Sequence, residues 1–559
     1  MNVALRYLGH SSVVRSTSGT QVHLAPNLAR DRVAFDAGVK DPIAFREAMS
    51  ALHAVVVGDF RFKKRDRTAY DEWRKEKRRE EEQLRRQFYD RAREEEAAKL
   101  PKGGPPPGLE ADFQKMVRLY WDARRKWASD LMRSDPELYR HLVPYDPIIT
   151  VAPDVVFFEG FAKDESSYGC LFVDRDAFEG HQDAELGTTN VDYSMALYDH
   201  FQTLRTYRTT RLQVDPQGFA VKVEGHEDYR EEKIDLPPTW LRGFGQISAA
   251  TSLPAHSLEL PVDVVYSILA HLKRNREKTG PRSILFKLSP GRAPVVVLEP
   301  WKIEIPSRGR PWDGDKPTDI KVWGRRRLFV LERVLPIADK FEVHLLGSGL
   351  PSIWVAHIGP MRFVLALSGW TTNDFTSGTN LDLLAGHLTV DQSVVSAVSR
   401  TLRQERSATM TGLMRATSAP RPAVLGALHR LAKHGQAIYD FSAGLYRYRS
   451  ILDVELGESL LGPEPEELVR GRELFQQKRV KIEREEQIGD ARRLIVARVE
   501  GTTCETILDG DGVFSRARCP CNHHRQFGLR RGPCRHLLAL RLSAQEQSDA
   551  GGFFKRLLH

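Results

Sequence analysis

The chain has 559 residues, 41% hydrophobic and 28% charged, with a formal net charge of +9, so it exceeds what one hydrophobic core serves and several domains are expected. No run of about 18 apolar residues is present to span a bilayer, and the start MNVALRYLGHSSVVRSTSGT lacks the charged opening and continuous apolar stretch of a secretory signal, so a cytoplasmic protein without a membrane partner is expected. The modest basic excess permits a polyanionic ligand without requiring one.

Residues 1–60 read as a small α/β unit: VALRYLG and VVRSTSGTQVHLA alternate as strands, and DPIAFREAMSALHAVV has the period of a helix. From Arg61 to Leu100 the chain is densely charged, mixes both signs and contains neither Gly nor Pro. Opposite charges at i,i+4 spacing stabilise an exposed helix. The stretch KGGPPPG, Lys102 to Gly108, ends it, and Phe113, Met116, Tyr120, Ala123, Trp127 and Leu131 then recur at three- and four-residue steps, the seam of a helix packed on one partner. Residues 61–142 are therefore expected to form a protruding charged helical hairpin that meets a protein partner, with a solvated spacer as the alternative.

Residues 143–261 give short strands (PIITVAP, VVFFEGF, YGCLFVD, GFAVKVEG) interrupted by a helical SMALYDHFQTLRTY, a mixed α/β domain. Glu159, Asp164 and Glu165 are carboxylates of the kind proton transfer uses, but they are read as a solvated loop, and Cys170 as a buried strand residue. Residues 262–385 open with the helix VDVVYSILAHLKRNRE and continue as SILFKLS, APVVVLEPWKIEIP, KVWGRRRLFVLERV, FEVHLLG, SIWVAHIG and MRFVLALSGW, an antiparallel β-rich domain. Arg308, Arg310 and the Arg325–Arg327 cluster make either a basic patch or an ordinary solvated surface.

In residues 386–455 three helices are expected, DQSVVSAVSRTLRQER, ATMTGLMRAT and PRPAVLGALHRLAKHG, the third burying Val424, Leu428 and Leu431 and stopping at Gly435. QAIYDFSAGLYRYRS then makes two strands around Ala443-Gly444. This order resembles a winged helix-turn-helix domain. In DNA-binding versions the third helix enters the major groove and a wing contacts the backbone. The resemblance implies Arg430 and Lys433 as helix contacts, beside Arg421 and His434, with Arg447 and Arg449 on the wing. Winged helices also dock proteins, and both roles stay open.

Residues 456–559 begin with a Pro-interrupted linker and a helix within ESLLGPEPEELVRGRELFQQKRV, followed by the strands RLIVARVEG and ETILDGDGVFSRARC, with a turn at Asp509–Gly512. Three of the five cysteines then fall in RCPCNHHRQFGLRRGPCRHLLAL, giving C-x-C-x12-C-x-H at Cys519, Cys521, Cys534 and His536. Three thiolates and one imidazole are a closed tetrahedral set for zinc, which points to one structural Zn²⁺. Arg516, Arg518, Arg525, Arg530, Arg531 and Arg535 surround these residues and argue against a plain apolar cysteine core. One-residue spacing strains a disulfide, and His523 and His524 are competing ligands. The pattern resembles the SWIM zinc finger, a ββα module, with all four ligands matched. Arg518, Arg525, Arg530 and Arg531 are expected to meet phosphates if nucleic acid is bound.

The fold class expected is thus α+β multidomain: mixed α/β and antiparallel β domains, a protruding helical hairpin, a winged helix and a C-terminal ββα zinc finger. No phosphate-binding loop, H-E-x-x-H site or G-x-S-x-G elbow occurs. The expected function is a zinc-binding, non-enzymatic adaptor for nucleic acid, protein or both, the alternative being an enzyme whose active site lies in the middle α/β domains. As a whole the chain is similar to bacterial SWIM zinc finger family proteins, some of which are encoded beside MoxR-type AAA+ ATPases and von Willebrand factor A (VWA) proteins. That resemblance implies a partner role in an ATPase system, with the hairpin as the docking arm.

Overall fold

The computed structural model describes residues 12–16, 19–24, 33–58, 115–116, 119, 147–180, 184–190, 201–202, 204–207, 210–214, 238–275, 282–369, 374–375, 380–384, 391–451, 464–488 and 492–557. Met1–Gly58 and Tyr145–His559 form one unit, and Asp59–Pro144 forms a second. The hairpin expected at 61–142 lies almost wholly outside the described residues. Lys115, Met116 and Leu119 are helical there, and Met116 and Leu119 are 66% and 56% exposed. The strand VALRYLG, the strand GFAVKVEG and most of the helix SMALYDHFQTLRTY also fall outside them.

The larger unit is built on an eight-stranded sheet in the order His256–Leu260, Lys340–Leu345, Ser352–Ile358, Met361–Leu367, Ser167–Asp174, Val155–Phe161, Ile148–Val151, Gly187–Asn190. Every pairing in it is antiparallel. Its middle strands are largely apolar because both faces are covered, and every residue of Val155–Phe161, Glu159 included, is buried. The helix Pro42–Val56 lies in the core of one face, supplying Phe45, Met49 and Leu52. It starts at Asp41, whose Oδ1 accepts from the Ile43 and Ala44 N–H groups at 3.1 and 2.9 Å, an N-cap that satisfies donors the helix leaves free. The helix Pro238–Ser252 covers the other face with Trp240, Leu241, Phe244 and Ile247.

The segment read as a small N-terminal unit is completed from elsewhere. Its hairpin Ser12–Ser16 and Gly19–Leu24 joins a five-stranded sheet with Thr210–Val214, Phe35–Val39 and Phe178–Glu179, and Gly19–Leu24 runs parallel to Thr210–Val214. A four-stranded antiparallel sheet contains Ile303–Pro306, Val295–Leu298, Ile284–Leu288 and Thr318–Val322.

Two local readings are corrected. KVWGRRRLFVLERV is not one strand: the strand ends at Val322, Gly324 turns the chain at φ +83, and Arg325–Arg333 is a 3-10 helix. Leu328 and Leu331, three residues apart, point into the core, and Arg325 and Arg327 are buried with them, so they form no basic patch. Arg327 donates to Ser368 Oγ at 2.9 Å. Arg308 and Arg310 are exposed. Glu159 and Asp164 are likewise buried rather than solvated, because each finds hydrogen bonds: Tyr168 OH donates to Glu159 at 2.8 Å, and Ser166 Oγ to Asp164 at 2.7 Å. Cys170 is buried.

The helices Gln392–Glu405, Met410–Thr417 and Arg421–Lys433 follow, with a three-stranded antiparallel sheet ordered Ser407–Ala408, Leu445–Tyr448, Ala437–Asp440. Val424, Ala427, Leu428 and Leu431 of the third helix join Val395, Val398 and Leu402 of the first in one core. The last part has the helix Glu466–Gln476, the antiparallel strands Val480–Ile488, Arg492–Val499, Thr502–Leu508 and Phe514–Arg518, the short helix Asn522–Phe527 and the long helix Arg535–Leu557. The architecture is one of mixed helices and mainly antiparallel sheets. Among the described residues no helix is long and apolar enough to cross a membrane.

Candidate metal centre

Strands Thr502–Leu508 and Phe514–Arg518 are joined at Asp509, whose Oδ1 accepts from the Asp511 and Val513 N–H groups at 3.0 and 2.8 Å. The second strand runs directly into Cys519. Cys521 then caps the helix Asn522–Phe527, its Sγ accepting from the His524 N–H at 3.4 Å. The chain returns through Gly532, at φ +94, where an added Cβ would lie 3.0 Å from the Asn380 carbonyl oxygen. Only glycine accommodates both the left-handed backbone and that close approach. Cys534 and His536 follow at the start of the long helix, whose Arg535 N–H donates to Glu467 Oε2 at 2.6 Å.

The donor atoms of Cys519, Cys521, Cys534 and His536 all lie within 4.8 Å of one another. Cys519 Sγ and His536 Nδ1 are 3.7 Å apart. A tetrahedral ion with metal–sulfur distances of about 2.3 Å and a metal–nitrogen distance of about 2.0–2.1 Å sets its donors roughly 3.6–3.8 Å apart, so this pair already has the required spacing. Cys519, Cys534 and His536 are buried and Cys521 is half-buried. Hydrogen bonds from the Cys504 and Cys534 thiols pull the Cys519 thiol far below its usual range. The same contacts, with burial, push Cys504 and Cys534 far up, and burial raises Cys521. A divalent cation would displace the thiol protons of the three cysteines on binding. The four residues can hold one metal ion in a geometry compatible with a zinc finger. His523 and His524 are not among the four, and the described residues contain no second such cluster.

Sequence reasoning passed over three residues at this centre. Cys504 Sγ donates toward Cys519 Sγ at 3.5 Å, and Glu500 Oε2 lies 3.7 Å from His536 Nε2. Arg541 is fully buried, stacked 4.8 Å over Phe514 and directed at the Leu384 carbonyl at 3.4 Å, and burial lowers its pKa to about 9 against the opposing field of Asp382. The available signal was the inward alternation of Cys504, Thr506 and Leu508. It acquires meaning only with the strand register, in which Glu505 faces Arg518.

The proposed nucleic-acid contacts separate into two groups. Arg518 and Arg525 are exposed in the metal module, beside the exposed Arg516. Arg530 and Arg531 are half-buried on the ligand loop. Arg530 Nε donates to the Phe527 carbonyl at 3.0 Å, and Arg531 stacks 4.6 Å over the Phe527 ring. Arg430 is half-buried, and Lys433 Nζ pairs with Asp382 at 3.0 Å. Arg447 and Arg449, expected on an exposed wing, are instead 2% and 1% exposed. Arg447 pairs with Asp440 at 2.9 Å and Asp154 at 2.8 Å, and Arg449 pairs with Glu159. Glu159 and Asp154 lie on the eight-stranded sheet and one of its loops, far away in sequence, which is why charge alone placed the arginines outside.

One short segment, 380–384, ties the metal module to the rest of its unit. Asn380 Nδ2 donates to the Arg531 carbonyl at 3.3 Å, and Leu384 O accepts from the Phe514 N–H at 3.3 Å. From the other side, Gln246 Nε2 and Lys433 Nζ each donate to Asp382 at 3.0 Å.

No protein-family model matches the chain, and no curated protein matches it. Among solved structures it is similar to Proliferating Cellular Nuclear Antigen from Entamoeba histolytica, at 12% identity and a TM-score of 0.27, covering 44% of this chain and 94% of that one. It is also similar to the structure of the C-terminal region of FEN-1 bound to A. fulgidus PCNA, at 12% identity and a TM-score of 0.27, covering 41% of this chain and 91% of that one.

Proposed function

We propose that the chain is a zinc-binding, non-enzymatic adaptor whose C-terminal module is a SWIM-type finger. The convergence of Cys519, Cys521, Cys534 and His536 carries this reading. Three thiolates and one imidazole fill a tetrahedral shell, leaving no position for water or substrate, so the metal would serve structure. A strand pair leading to the first ligands and a helix opening at the last two supports the ββα description. Metal analysis of the purified chain, with Cys534→Ala as comparison, tests it: about one zinc per chain is expected, lost in the variant.

Residues 386–455 are read as a winged helix used for docking rather than for reading base edges. The support is the burial of Leu425, His429 and Ala432 in addition to the core-facing residues of the third helix, whose Lys433 lies against Gly245 of the helix Pro238–Ser252. Any nucleic acid would then meet Arg518 and Arg525 through its phosphates, with Arg530 and Arg531 at the margin. A protein partner is proposed to bind the 61–142 arm, where the exposed Met116 and Leu119 supply apolar surface. By resemblance the partner is a MoxR-type AAA+ ATPase or a VWA protein in the cytoplasm. Pull-downs with and without residues 61–142 test this: loss of the ATPase on deletion is expected, and retention would reject the arm.

A further inference from the structure

Resting on the zinc reading, we infer that Cys504 and Glu500 form a second layer around the metal: the Cys504 thiol donates to the Cys519 sulfur, and Glu500 holds the His536 ring with Nδ1 turned toward the ion. Four observations converge on this arrangement. The His536 ring is bracketed, with Nδ1 3.7 Å from Cys519 Sγ and Nε2 3.7 Å from Glu500 Oε2. A histidine that binds metal through one nitrogen commonly offers its other N–H to a carboxylate, which fixes tautomer and ring orientation.

Glu500 also occupies an unusual place in the chain. With Gly501 it forms the two-residue connection between Arg492–Val499 and Thr502–Leu508, at φ +49 and +78. Two successive left-handed residues make the tight hairpin turn that Asn-Gly or Gly-Gly fills with least strain. A glutamate there carries a backbone strain that glycine or asparagine would avoid, and its carboxylate is the group that reaches His536.

Cys504 is fully buried, and the ladder continues from the Glu505–Arg518 pair so that it stands opposite Cys519. Its sulfur is 3.5 Å from Cys519 Sγ, yet it is not one of the four convergent donors. It therefore serves the ligand and not the ion. An S–H donated to a metal-bound thiolate draws off part of that sulfur's charge, which matters in a site whose three thiolates exceed the charge of one divalent cation.

The test is zinc competition against a chromophoric chelator, using the full chain and the variants Glu500→Ala, Glu500→Gln, Cys504→Val and Cys504→Ser. Loss of an outer-layer partner typically lowers metal affinity about 10–100-fold. That loss is expected for Glu500→Ala and Cys504→Val. Glu500→Gln keeps an acceptor oxygen and Cys504→Ser keeps a donor, so both should recover most of the affinity. Cys504→Val fills the core without a donor, which separates hydrogen bonding from packing. In zinc-loaded protein, ¹⁵N shifts of His536 should show a metal-bound Nδ1 and a protonated Nε2 whose proton exchanges faster in Glu500→Ala. Wild-type affinity in all four variants, or a metal-bound Nε2, would overturn the inference. Zinc-free wild type would instead defeat the parent reading.

Discussion

Arg449 and Glu159 form an ion pair sealed inside the protein, their side chains 1% and 0% exposed. The guanidinium lies 4.0 Å above the Phe244 ring, and the second carboxylate oxygen accepts from Tyr168 OH at 2.8 Å. The pair locks the end of the 391–451 segment to the middle of the eight-stranded sheet, next to the Arg447 contacts with Asp440 and Asp154. A pair of charges buried this way contributes little net stability, but stranding one of them is expensive.

Arg449→Met alone should therefore lower stability by about 3–5 kcal/mol, whereas the double variant Arg449→Met with Glu159→Leu should recover much of the loss. Urea unfolding of both single variants and the double variant decides this. A double variant as unstable as the sum of its singles would mean that the charges contribute independently.

Asp382 gives a pH dependence of defined sign. Burial alone would raise its carboxyl, but Lys433 and His429 beside it, with the hydrogen bond from Gln246, outweigh burial and hold it well below the usual range. A depressed carboxylate stabilises fully above its unfolded value of about 3.9, and the contribution is lost as pH falls below that toward the folded value. Wild type should thus exceed Asp382→Asn in stability at pH 6, with the gap closing on acidification below about pH 4. Denaturant midpoints between those conditions measure it. A gap that stays constant would remove Asp382 from the acid response.

Local patterns were legible in the sequence. The helix Arg421–Lys433 follows from its 3.6-residue apolar period and the Gly435 stop, and the four metal donors follow from spacing alone. Long-range pairings were not. Nothing near Arg447 announces Asp154, and nothing near Glu159 announces Arg449, so both sides were given the default reading of a charged residue, exposure. The Arg325–Arg333 turn of 3-10 helix was hidden because its apolar residues also suit a strand, and only the left-handed Gly324 distinguishes the two. Cys504 needed the register of the neighbouring strand before it meant anything.

Nucleic-acid binding should be electrostatic and nearly independent of sequence, because Arg518 and Arg525 are exposed on the metal module, while most of the third helix of 391–451 is buried and its exposed Arg421 pairs with Asp511. About four neutralised phosphates on duplex DNA would give a slope of roughly −3.6 in log K against log[salt], and Arg518→Ala with Arg525→Ala should reduce its magnitude by about 1.8 without releasing zinc. Charge-neutralising changes at the half-buried Arg530 and Arg531 should flatten the slope less. Absence of salt-sensitive binding to single- or double-stranded DNA or RNA would leave protein as the only ligand class for the proposed adaptor role.

One zinc ion, held by Cys519, Cys521, Cys534 and His536, is proposed to organise the C-terminal module. The most direct measurement is metal content of the purified full chain, paired with amide hydrogen exchange before and after chelation. Structural zinc supplies on the order of 10 kcal/mol to a small module. About one zinc per chain is predicted, and its removal or Cys534→Ala should abolish protection across 492–540 while the eight-stranded sheet stays protected. Zinc-free protein whose residues 519–540 remain as protected as the sheet would mean that no metal organises the module.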